Sequence, residues 1–336
     1  MQASISDPGA PFYDRWALAR LNDPRDLPFF HLMLQCALVA VFGVGLFFAG
    51  SLFYYLAPIY LAVWGGWVLD RYILMLHCTS HRQLFKPRYG RYNRIIPWML
   101  GAFFGETPES YFVHHMGMHH VEGNLQADIS STMRYRRDSF RDWLRYYARF
   151  LFVGLLELGA YHRDRGNRKL VRRLLVGEGS YWLLVALLMW VNWEATLVVF
   201  VLPLLLVRTL MMVGNWGQHA FVCAGDPGNP HRNSITCINT RYNRRCFNDG
   251  YHIHHHLKPR CHWTELDREF EANREEYGRQ DALVFDGIDF FGVWLLLMTG
   301  KWDRLAEAVV HLPGAPERTR EEVISVLKAR VQPIAS

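Results

Sequence analysis

Sixteen histidines occur in 336 residues, and eleven of them fall into four short clusters. The first is His77-Cys-Thr-Ser-His81, an i,i+4 pair that a helix places on one face. The second is His114-His115-Met-Gly-Met-His119-His120. On a regular α-helix His115 and His119 share a face while His120 points about 100° away, so adjacent histidines address two metals from one helix. The third cluster, Asn215-Trp-Gly-Gln-His219, holds one histidine. The fourth, His252-Ile-His254-His255-His256, sets His252, His255 and His256 in an HxxHH pattern. One pair of histidines four apart is mostly surface or coincidence. Four such clusters, at the ends of apolar segments or outside them, point to metal.

Imidazole serves zinc, copper, iron and nickel, so ligand type does not choose the ion. Ligand number helps: these histidines exceed the four ligands of a structural zinc but fill two sites, each with an open position. Soluble di-iron bundles use Glu and Glu-x-x-His instead, and those carboxylates are missing here. Two irons with O2 supply an oxidant able to take hydrogen from an unactivated methylene; zinc has no redox chemistry. No nucleophile, general acid or phosphate loop stands out. Asp70, Glu106, Glu122, Asp128 and Asp249 lie near the clusters and are candidates to accept the free ring N–H of a ligand histidine. Each is equally readable as a structural charge.

The elements that must position these residues are apolar. From Phe29 to Leu69, 41 residues pass without one Asp, Glu, Lys or Arg, about twice the ~20 that cross a bilayer as a helix. A second stretch, from Leu174 to Val213, carries only Glu178, Glu194 and Arg208. The expected fold is an all-α integral membrane protein: four transmembrane helices in two hairpins (about 29–49, 51–70, 174–193 and 195–213), with a cytoplasmic helical cap holding the histidines. The expected organisation is a cytoplasmic N-terminal segment 1–28, a membrane domain 29–310 and a polar, peripheral tail 311–336. Eighteen of the 37 basic residues fall between Arg71 and Arg173, whereas the two hairpin turns have none, which puts the long loop and both termini on the cytoplasmic side. The net charge of +6 then suits an anionic membrane surface better than nucleic acid. The six cysteines form no CxxC pair and read as reduced thiols. Arg136 to Phe150 interleaves arginine with Trp143, Tyr146, Tyr147 and Phe150, as an interfacial helix or a helix packed on the cap would. Asp286 to Gly300 is too short to span.

In this order of spans and clusters the chain resembles the membrane fatty acid desaturase family: two spans, HxxxH, a histidine-doublet box, two spans, then HxxHH. The resemblance runs over roughly residues 29 to 260. It implies His77 and His81 as the first box, His115, His119 and His120 as the second with Asn124 at an HHxxxN position, and His252, His255 and His256 as the third, before Leu257 and Pro259. It further implies Asn215 and His219 as an extra pair, the asparagine reaching one metal through water. His114 is an alternate to His115, and His254 a spare in the third box. The resemblance implies two Fe ions (Fe2+/Fe3+), O2 as co-substrate, a fatty acid or acyl thioester as substrate, and electrons from a separate ferredoxin or cytochrome b5.

Desaturation is the expected reaction. Decarboxylation to a terminal alkene and hydroxylation start from the same oxidant and differ in how the chain is held. A histidine-rich metal transporter or zinc-dependent receptor belongs to another class. It would place ligands inside the membrane, where only His31 and Gln35 are notably polar in the first span. Chain length, position attacked, the donor and the oligomeric state are not legible.

Overall fold

Four helices of the computed structural model are long and apolar enough to cross a membrane: Pro24–Leu46, Gly50–His81, Arg168–Val191 and Trp193–Gln218. The structure describes Gly9 and residues 11–334. Residues 1–8 and 10 of the expected segment 1–28, and 335 and 336 of the expected tail, lie outside the described residues. Two units divide the chain, Met1–Val113 with Lys169–Val207, and His114–Arg168 with Arg208–Ser336.

The first unit is built around the apolar helices. The second of them is 32 residues long, more than a bilayer needs, because it continues past the apolar run to carry His77 and His81. It does so through one widened π turn at Trp64–Val68. Glycine allows the closest backbone approaches. A Cβ on Gly177 would stand 1.7 Å from the Pro108 carbonyl oxygen, and one on Gly105, whose φ is +73°, would stand 2.4 Å from that of Pro203. The two carboxylates within the apolar stretches are met by hydroxyl donors. Glu178 accepts from Ser110 Oγ at 2.6 Å and Glu194 from the Tyr54 hydroxyl at 2.8 Å. Trp64 and Tyr72 are buried in this packing, donating to the carbonyls of Phe103 and Ile96.

The second unit corrects the all-α expectation. It holds a two-stranded parallel sheet, β1 (Ile235–Ile238) and β2 (Leu283–Asp286), with Ile235 opposite Leu283 and Ile238 opposite Asp286. Four-residue, almost wholly buried strands show no polar alternation, so periodicity misses them. Ile235, Cys237, Leu283 and Phe285 face one apolar cluster and Ile238 and Val284 the other, the period-two division of a strand pair. Parallel strands require a long crossover, and this one carries the third histidine box. Asn243 holds the start of the crossover, donating to the Cys237 carbonyl and accepting from Gly250 N–H.

The tail is not peripheral. Helix Arg320–Arg330 is started by a capping box of Thr319 and Glu322, and Leu312, Leu327 and Val331 are fully buried. The buried Arg137 donates to the carbonyls of Ala220, Thr132, Met133, Arg330 and Gln332, tying the tail to the loop after the second histidine box. Sparse apolar residues among many charges hid the stripe that docks this helix. Helix Phe140–Phe152 packs through Trp143 and Tyr146, and Phe290–Met298 is a core helix through Phe290, Val293 and Leu297.

Candidate metal centre

His77 and His81 leave the last turns of the second span one helical turn apart, with ring centroids at 5.2 Å. They belong to the first unit. All other expected ligands lie in the second, where the structure sorts them into two groups.

One group is His119, His219, His252 and His256, whose ligand atoms all lie within 4.8 Å of one another. Nε2 of His252 stands 3.0 Å from Nε2 of His256 and 3.4 Å from that of His219. The outer nitrogens of two of these rings are held by acceptors. His119 Nδ1 donates to Asp128 Oδ2 at 2.7 Å, and His219 Nδ1 to the Asn233 carbonyl at 2.9 Å. Burial pushes the pKa of His219 down to about 4, with His119 adding to the depression. The ring is therefore neutral, protonated at Nδ1, with the bare Nε2 lone pair facing the group. His256 is driven well below the ordinary imidazole value, first by burial and then by the neighbouring His252, His219, His119 and His120. Burial alone would raise the Asp128 carboxyl, but the His119 ring and the bonds from His119 and Ser130 bring it below its usual value.

The second group, within this unit, is His115, His120 and His255. His120 Nε2 lies 3.1 Å from Nε2 of His115 and 2.9 Å from Nε2 of His255. This pairing corrects the helical-wheel expectation that His115 and His119 share a face. Residues His115–His119 form a π turn closed by a bond from His120 N–H to the His115 carbonyl. An i→i+5 bond brings residue 120, rather than 119, under residue 115, and releases His119 to the other group. Such single π turns are frequent at functional sites. In the regular helix His252–Leu257 the i,i+4 pair His252 and His256 stays together, and His255 turns to the second group.

These residues fit metal. An ion about 2.1 Å from each nitrogen separates adjacent ligands by about 3.0 to 3.4 Å, which is the spacing observed. Converging lone pairs, with Nδ1 committed to a carboxylate or carbonyl, are the arrangement that metal-ligating histidines adopt.

Of the remaining expected residues, Asn215 donates from Nδ2 to the Ser130 carbonyl at 2.9 Å and the Tyr146 hydroxyl at 2.7 Å. Its Oδ1 remains as the acceptor. Asn124 takes a left-handed φ of 63°, accepts from Thr132 N–H and donates to Asn233 Oδ1, both at 2.8 Å. It shapes the loop that carries Asp128. His114 lies half-buried beside Phe150, its pKa held down to about 4 mainly by desolvation, and stands outside both groups. His254 is also buried and outside them, 3.8 Å from Glu269. Among the five candidate carboxylates Asp128 holds the His119 ring, whereas Asp249 accepts from Tyr242 and Glu122 from Tyr161 and Arg165.

Sequence reasoning missed Asn233. This buried residue orients His219 and donates to the carbonyls of Gly123 and Pro227 at 2.6 Å each. Its only sequence signal, Asn229-Pro-His-Arg-Asn233, reads as loop punctuation.

No curated protein and no solved structure gives a significant match to the chain. The family model described as "Fatty acid desaturase" matches residues 71–287, more than half of the chain, a span that contains every histidine of both groups together with His77 and His81. The chain is a membrane protein and an oxidoreductase of the fatty acid desaturase family.

Proposed function

We propose that the protein desaturates a fatty acyl chain at a di-iron centre. The observation that carries this reading is the sorting of the histidines into two groups with Nε2 atoms converging at metal-ligand spacing. His119, His219, His252 and His256 would hold one iron. His115, His120 and His255 would hold the other, with His77 and His81 assigned to the centre by the box order of the family. Asn215 is assigned as a water-bridged ligand. When bound, the irons supply the chemistry by which O2, two electrons and two protons convert CH2–CH2 into CH=CH and two waters. The electrons come from a separate donor of the ferredoxin or cytochrome b5 type.

The chain's own residues prepare that chemistry. Asp128 and the Asn233 carbonyl fix two ring tautomers, so the nitrogens facing the group need not shed a proton to bind metal. Burial keeps His219 and His256 neutral at physiological pH. The four apolar helices form two hairpins, with both termini and a helical cap on the cytoplasmic side. This follows from the concentration of basic residues between Arg71 and Arg173.

The test is product analysis by gas chromatography–mass spectrometry. Iron-loaded protein receives fatty acids and acyl-CoAs of several lengths, with a reductase–ferredoxin couple and O2. Loss of two hydrogens at constant chain length is the expected result. An alkene one carbon shorter, or a hydroxylated chain, would replace desaturation with another outcome of the same oxidant. Protein that retains zinc but never iron would overturn the reading.

A further inference from the structure

The first unit carries a basic surface that the metal chemistry does not use. After the second span ends at His81, the chain forms a short 3₁₀ segment, Pro87–Arg94, kinked at Tyr89. Arg88, Arg91 and Arg94 on this segment are all exposed. Residues three apart eclipse on a 3₁₀ helix, so Arg91 and Arg94 leave from one side. Nearby Arg25 and Arg82 are neutralised by Asp23. Among the described residues none of Arg88, Arg91 and Arg94 is paired with a carboxylate.

Two of these arginines lie against aromatic rings. The Arg88 guanidinium sits 4.7 Å from the centre of Tyr89, and that of Arg91 sits 5.2 Å from Tyr92. The rings form a continuous chain of contacts, stacked at Tyr89 and Tyr92 and tilted beyond. Tyr89 is 6.2 Å from Tyr92, Tyr92 is 6.0 Å from Trp16, and Trp16 is 5.7 Å from Phe30. Phe30 lies in the first turn of the apolar helix Leu27–Leu46. These contacts therefore fix the arginines at the level where that helix begins. Backbone bonds from Asn22 N–H to Leu84 O and from Lys86 N–H to Arg20 O lock the two strands of chain together.

We propose that Arg88, Arg91 and Arg94 form a docking site for anionic phospholipid headgroups. The proposal rests on the membrane reading of the four helices. Guanidinium matches phosphate bidentately, and tryptophan and tyrosine gather at the headgroup level of a bilayer. An acidic donor protein would also match the charge. What favours lipid is position: the aromatic rings join the arginines to the first turn of an apolar helix, where a bilayer's headgroups would lie.

The experiment places the full chain in nanodiscs of phosphatidylcholine and phosphatidylglycerol in equal amounts and reads retained lipid by native mass spectrometry. Wild type is expected to keep phosphatidylglycerol preferentially. The R88Q/R91Q/R94Q variant should lose that preference, with each single substitution weakening it about fivefold. The corresponding lysine variants should restore part of it. R163Q/R268Q/R304Q, the same charge change on exposed residues of the second unit, should behave as wild type. Equal phosphatidylglycerol retention by wild type and the triple variant would overturn the proposal, as would equal loss in the control. An unchanged lipid preference with a raised KM for an acidic ferredoxin would assign the patch to donor docking instead. Failure of wild type to enter any nanodisc would break the membrane reading, a separate result. The single substitutions keep the test decisive if the triple variant unfolds.

Discussion

The two histidine groups of the second unit come from the same short motifs yet differ in how they are built. His119, His219 and His252 are each at most 2% exposed, against 8% for His115 and His255; each group also has one half-buried member, His256 in the first and His120 in the second. The deeper group also has a fixed surround. Asp128, itself fully buried, takes the His119 ring N–H and is gripped by both the backbone N–H and the hydroxyl of Ser130. Asn233 takes the His219 ring N–H and is tied through Asn124 to the same loop. The contrast teaches that two chemically similar sets of imidazoles can be held in place with different firmness. Burial and outer partners set the difference, while the number of imidazoles does not reveal it.

The largest effect expected comes from breaking the deeper group at its centre. His256→Ala should remove one of two bound irons and lower activity by more than the roughly 100-fold that loss of an outer partner costs. Iron per chain by plasma mass spectrometry would fall from two toward one. His120→Ala should release its iron with less residual order at the site, seen as faster loss to a chelator. Equal loss from both variants would erase the distinction between the groups.

A smaller effect should follow from Asp128→Asn, which keeps shape but removes the charge that holds His119. Iron affinity should fall about 10- to 100-fold, with the loss confined to one of the two ions. Asp249→Asn, whose carboxylate is engaged by Tyr242 instead, should leave both ions in place. Chelator competition on the two variants separates them. Asn233→Ala should lie between, since the backbone carbonyl at 2.9 Å that His219 uses remains.

The smallest effect concerns the histidines outside the groups. His254→Gln and His114→Gln should each leave iron content within about twofold of wild type, below the outer-partner range. Their cost should show in thermal stability, more for the buried His254 than for the half-buried His114. Loss of an iron from either variant would restore it to the ligand set.

The membrane spans and the histidine boxes were legible because they are written locally. A run of 41 uncharged residues has few other meanings, and histidines at fixed spacing survive any folding detail. The C-terminal helix was less legible, since Leu327 and Val331 are a thin apolar stripe among charges. Asn233 left almost no trace at all. Its role depends on lying beside His219 and Asn124, more than a hundred positions from the latter.

By itself the sequence determined which residues could bind metal, that the chain enters a membrane, and the family to which it belongs. Spacing carries the first, hydropathy the second, and the order of spans and histidine boxes carries the resemblance to the family. Only the tertiary structure decided how the histidines divide. The π turn at His115–His119 exchanges the neighbours a regular helix would give, sending His120 to His115 and His119 to His219. One extra residue in a turn is invisible to periodicity. The rings it releases then meet partners from far along the chain, His120 with His255 and His119 with His219 and His256.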